Sequence, residues 1–198
     1  MRVLAACLSV CAALALAGPA VRAQGVPSAP PAAQPPAPAP TTLESLFQRL
    51  RAAKDPNEGR AIAKQIEQRW LRSPSDTATL LMTRVNQAMT ANARETGIDL
   101  IDYILLLQPQ WAEAYNKRAT ILFLMDDYDG ALRDIRAALR YEPRHFGAMA
   151  GLGMIMQRMG NTKGAYAAFR KALEVHPQLN EVREAADRLK TEVEGQEL

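Results

Sequence analysis

Residues 112–145 read AEAYNKRATILFLMDDYDGALRDIRAALRYEPRH, and this stretch decides the fold. Apolar residues fall at helical spacing in two runs, Tyr115, Ala119 and Leu122 in the first, Ala131, Ile135, Ala138 and Leu139 in the second. Asp126 and Asp127 between the runs favour a turn. Pro143 cannot continue the second helix, so the chain turns there. The pattern predicts a helical hairpin, with small residues where its two helices come close.

Working outward, the pattern recurs. Pro109, Pro143 and Pro177 follow one another every 34 residues. Gly97, Ala131 and Ala165 share one place in that register. Ile101, Ile135 and Phe169 share another, and Val85, Ala119 and Gly153 a third. The register divides residues 76–179 into units 78–111, 112–145 and 146–179. A single hairpin cannot bury its apolar face, whereas stacked hairpins share one continuous core.

These residues resemble the tetratricopeptide repeat (TPR) family. In the middle unit the likeness rests on Tyr115, Ala119, Leu122, Tyr128, Ala131, Ala138 and Pro143. In the third it rests on Leu152, Gly153, Gly160, Ala165, Phe169, Ala172 and Pro177. The first unit departs from the pattern, with Arg84 in place of a leucine, Val85 of a small residue and Gly97 of an alanine. The resemblance implies an all-α fold, a right-handed superhelical solenoid of antiparallel helix pairs.

The flanks extend that expectation. Within residues 41–75, the segments 43–51 and 60–71 read as an amphipathic helix pair joined by Lys54-Asp55-Pro56-Asn57-Glu58-Gly59. Pro74 falls near the repeat register, so this pair is expected to form a fourth, diverged repeat. Within residues 180–198, Val182, Ala185, Ala186, Leu189 and Val193 make the apolar stripe of a C-terminal capping helix.

The N-terminus reads as an export signal, residues 1–23. Arg2 precedes an apolar run over 3–17 interrupted only by Ser9, Gly18-Pro19 breaks it, and Val21-Arg22-Ala23 offers a cleavage site. The run falls short of the roughly 20 residues that a membrane span needs. A mature chain beginning at Gln24, periplasmic or secreted and without a stable membrane span, is expected. Retention of the signal as an anchor, or lipid attachment at Cys7 or Cys11, stay open as alternatives. Residues 24–40 are rich in proline and alanine and carry no charge, which predicts a disordered spacer.

The 198 residues carry a net charge of +3 and only 6% aromatics, which argues against a nucleic-acid partner. His145 and His176, the only histidines, stand at repeat junctions and are expected on the surface. They form no H-x-x-x-H or H-E-x-x-H pattern, so no metal or cofactor is expected. No G-x-S-x-G and no glycine-rich phosphate loop is present. The chain reads as a binder, not an enzyme.

The resemblance also implies where a partner sits: the first helix of each pair lines a concave groove. Carried onto this sequence, the candidates are Asn86 in the first unit, Glu113, Asn116, Lys117, Thr120 and Phe123 in the second, and Met154, Gln157 and Arg158 in the third. The asparagines suit a peptide backbone, Lys117 and Arg158 a carboxylate, Phe123 and Met154 an apolar side chain. Met82, Gly147 and Gly151 stand where some family members carry the cations of a carboxylate clamp. The expectation is an adaptor or scaffold exported to the cell envelope that binds a protein or peptide. The alternative is a binder of a small molecule or cell-wall fragment.

Overall fold

The computed structural model describes residues 42–195. The expected export signal and the Pro/Ala-rich spacer lie outside them. The described residues are all-α: α1 (Leu43–Ala52), α2 (Pro56–Trp70), α3 (Asp76–Thr90), α4 (Arg94–Leu107), α5 (Ala112–Leu124), α6 (Tyr128–Tyr141), α7 (Phe146–Arg158), α8 (Thr162–Val175) and α9 (Asn180–Gly195). The repeat units are the hairpins α3–α4, α5–α6 and α7–α8, stacked in chain order with α4 on α5 and α6 on α7. Pro109, Pro143 and Pro177 lie in the links that follow the three hairpins, each directly after a helix C-cap.

Each hairpin closes by one device. Asn92, Asp126 and Gly160 sit 34 residues apart and adopt φ of 56°, 61° and 75°. The next residue's N–H then reaches back five residues, Ala93 to the Ala88 carbonyl at 2.8 Å, Asp127 to Leu122 at 2.9 Å and Asn161 to Met156 at 2.9 Å. This left-handed closure satisfies carbonyls that the helix end would otherwise leave unpaired. Asp127 and Asn161 then cap the following helix by accepting from the backbone N–H of Gly130 and Gly164.

The small residues stand where helices approach closely. A Cβ on Gly153 would lie 2.3 Å from the Phe169 ring. Ala119, Ala131 and Ala138 are buried in the same core as Ile135 and Ile155. Arg118 fills a place where the family pattern has a leucine, as Arg84 does in the first unit. Its guanidinium grips the buried Asp134 through Nε and Nη2 at 2.7 and 2.8 Å and reaches Asp102 through Nη1 at 2.6 Å. One cation so ties α4, α5 and α6 together, and the hydrogen bonds to Asp134 foremost raise its pKa further.

The N-terminal pair forms, but it is not a fourth repeat in the stack. The packing that joins α4 to α5 and α6 to α7 is not repeated between α2 and α3, and α1 packs on α8 instead. The pair lies across the junctions between hairpins. Trp70 carries the polypeptide oxygen that accepts from Trp111 Nε1 at 2.7 Å, at the first junction. Its ring stacks on His145 at 4.1 Å, at the second. Gln178 Nε2 donates to the Ala53 carbonyl at 2.9 Å, at the third. A helix of 15 residues is about 22 Å long, enough to cross three links spaced like packed helices.

The second helix of this pair also starts earlier than its apolar pattern predicts, at Pro56. Asp55 caps it, accepting from the N–H of Asn57 and Glu58 at 2.8 and 3.0 Å, and proline is at home in the first turn. Gly59 therefore lies inside a helix, not in a turn. A Cβ there would come 2.7 Å from Gln178 Cβ, so glycine permits the close approach of α2 to the third junction. At the other end of the chain, α9 covers α8, burying Ala186 and Leu189 beside Val182 and Ala185.

Candidate functional site

Asn116, Thr120 and Phe123 lie on one stripe of α5, spaced four and three residues apart. Gly147, Ala150, Gly151 and Met154 form the facing stripe of α7. The two stripes wall an open cleft floored by Ala119, Ile135 and Ile155. Gly147, Ala150 and Gly151 keep the α7 wall low. Phe123 and the 49%-exposed Met154 supply apolar surface that is not consumed by the core. The Arg158 guanidinium lies 5.9 Å from the Phe123 ring centroid, a cation at the edge of an apolar hollow.

Of the expected groove residues, the structure brings Asn116, Thr120, Phe123 and Met154 together, with Arg158 beside them. Asn86 and Gln157 line no part of this cleft. Met82 is buried in the core of the first hairpin and faces no groove. Glu113 differs most from expectation, because it is buried and structural. Its carboxylate sits 2.9 Å from His145 Nε2, 3.3 Å from Asn116 Nδ2 and 3.5 Å from Lys117 Nζ. Lys117 is thus engaged by Glu113 one turn away.

Both histidines are also corrected: His145 and His176 are each 2% exposed. His145 caps α7, its Nδ1 accepting from the Ala148 N–H at 3.2 Å. That bond leaves the proton on Nε2, which donates to Glu113. His176 meets the Phe146 ring edge-on at 5.1 Å, and its Nδ1 accepts from the Gln178 N–H. Burial lowers its pKa to about 4. The signal that sequence reasoning lacked is the covering pair α1–α2. Trp70 and Phe146, 5.0 Å apart, join Phe47 in a cluster that roofs the junction residues. Arg144 completes it, 4.1 Å over the Phe47 ring and 2.6 Å from Glu44.

Among the described residues no cluster of His, Asp or Glu is arranged to hold a metal ion. No described helix is long and apolar enough to cross a membrane. Stacked helical hairpins with a lined cleft define a helical-repeat scaffold. More narrowly, the chain belongs to the tetratricopeptide repeat family. Two tetratricopeptide repeat profiles match residues 112–145 and 147–179. A TPR repeat-containing protein of Rhizobium etli is 33% identical over 153 residues, covering 77% of this chain and 75% of that protein. Among solved structures, the Sgt2 TPR domain from Aspergillus fumigatus superposes with a TM-score of 0.59 at 22% identity, over 63% of this chain and 84% of that one. The first TPR of Spaghetti, solved bound to an HSP90 peptide, gives 0.58 at 17% identity, over 60% of this chain and 94% of that one. These likenesses concern the fold.

Proposed function

We propose that the chain is a non-catalytic scaffold of the cell envelope whose α5–α7 cleft grips an extended peptide segment of a partner protein. The observation that carries this is the convergence of Asn116, Thr120, Phe123 and Met154 on one open, mainly apolar hollow. A large apolar side chain of the peptide fills the hollow against Phe123 and Met154. Asn116 and Thr120 bond its backbone, and a neighbouring carboxylate meets Arg158. Support for a peptide occupant comes from the Spaghetti repeat domain, which shares the fold and was solved with one. Support for the envelope comes from the signal-like residues 1–23. A cell-wall fragment is the lesser reading, since a lining dominated by Ala119, Ile135, Ala150 and Ile155 offers few groups for a polar glycan.

The experiment is selection of peptides from a displayed library on the purified protein. Enriched sequences should pair a large apolar residue with a nearby Asp or Glu. Their affinity should fall on the order of tenfold or more with Phe123→Ala, the loss expected of an interface anchor. Enriched peptides that bind Phe123→Ala and Met154→Ala as tightly as the parent would remove the cleft from the account. The mass of the mature protein isolated from its own cells tests export, with Gln24 expected as the first residue.

A further inference from the structure

The register of the repeats exposes one surface that has lost its neighbour. Leu80 occupies the place of Ala114 and Ala148, which are 0% exposed because the preceding hairpin covers them, yet Leu80 is 56% exposed. Gln87 is exposed where Ile121 and Ile155 are buried. On α4, half-buried Leu100 continues into Tyr103 and Leu107, both exposed and on the same helical stripe. The cause is the position of α1–α2. That pair crosses the junction edge, so among the described residues no helix covers the first end of the stack, while α9 covers the other end.

The charges on this bare end decide what fits it. Arg84 holds the place that Arg118 holds in the second unit, and Arg118 reaches back to Asp102 of the preceding hairpin at 2.6 Å. Arg84 has no preceding hairpin to reach, and among the described residues it pairs with no carboxylate. Asp99 is exposed on the same hairpin, in the place of Arg133, which lines the cleft between α4 and α6 together with Ile98 and Asp102. One face therefore presents an apolar centre flanked by an unpaired cation and an anion.

We propose that this face docks a second copy of the chain, end to end about a two-fold axis. α3 of one copy packs on α4 of the other, burying Leu80, Leu100 and Tyr103. Arg84 of each copy meets Asp99 of its partner. A two-fold interface needs such self-complementarity, because each contact occurs twice with the roles exchanged. Growth beyond a pair is opposed at the far end, where α9 turns Glu181, Glu184, Asp187 and Arg188 to solvent.

The test is sedimentation equilibrium of the protein purified from the cells that make it. The expected result is a reversible dimer. Leu80→Glu should weaken it on the order of tenfold or more, with an unchanged helical circular-dichroism spectrum. Arg84→Glu and Asp99→Arg should each weaken it, and the double exchange should restore it, since opposite charges again face each other. A wild-type protein that stays monomeric at all concentrations overturns the proposal and leaves the face to a different protein. A dimer that survives Leu80→Glu, or a charge exchange without rescue, overturns it as well.

Discussion

His145 Nε2 donates to Glu113 Oε2 across 2.9 Å, while His145 Nδ1 accepts from the first turn of α7. One buried ring thus links the start of α5 to the start of α7, with Trp70 of α2 stacked flat upon it at an interplanar angle of 15°. The two walls of the cleft are α5 and α7, so this contact holds their N-terminal ends in register.

The first prediction concerns that pair. Glu113→Ala leaves the His145 Nε2–H buried without its acceptor and should cost about 2 kcal/mol. Glu113→Gln keeps a carbonyl oxygen in reach and should cost less than half as much. Urea unfolding at neutral pH ranks the two, and equal losses would show that the hydrogen bond has no special weight.

Acid should act through the other histidine. Unfolded, His176 titrates near 6.5, and folded its pKa is about 4, so the unfolded chain binds the proton first. This contribution is complete above pH 6.5 and is lost progressively as the pH falls toward 4, by about 2 kcal/mol at pH 5. His176→Asn keeps an acceptor for the Gln178 N–H and does not titrate. Its urea midpoint should approach that of the wild type as the pH falls from 7 to 5, and a constant gap would count against the assignment.

Gly59 tests the position of α1–α2. In a solvent-facing helix Gly→Ala gains about 1 kcal/mol from propensity alone. Here the new Cβ would meet Gln178 Cβ and Cγ at 2.7 Å, so Gly59→Ala should destabilise, by about 1–3 kcal/mol. A stabilising effect would mean that α2 does not lie on the third junction.

The hairpin turns make an opposite prediction. Asn92 holds φ of 56° and is exposed, so Asn92→Gly should stabilise by about 0.5–1 kcal/mol. Gly160→Ala, at φ of 75° with open space around it, should destabilise by a similar amount. Thermal melts of the two variants should shift in opposite directions.

Much of the stack was legible because its information is local and repeated. Ala119, Ala131 and Pro143 fix a hairpin, and the same sizes return at Gly153, Ala165 and Pro177. The stripes of the cleft came from the family resemblance, whose groove positions carried onto α5 and α7 include Asn116, Thr120, Phe123 and Met154, and these four line one cleft. The course of α1–α2 was not legible, because an apolar stripe of Leu46, Phe47, Leu50, Ile62 and Ile66 reads alike whichever surface it covers. The burial of the two histidines is hidden in the sequence for the same reason. Trp70 stacks on His145 and the bare backbone of Gly59 lies beside His176, both distant in sequence from the histidine they cover. The family resemblance implies a groove position for Glu113, whereas its partner His145 draws it into the junction.

The central claim is that the α5–α7 cleft is where a partner is held, and photo-crosslinking in living cells tests it most directly. A photoreactive side chain replacing Thr120 should yield discrete adducts that disappear when Phe123→Ala is added. The same group replacing Arg136, exposed on α6, should yield none of them. Identical adducts from both positions, or adducts at Thr120 indifferent to Phe123→Ala, would contradict the claim.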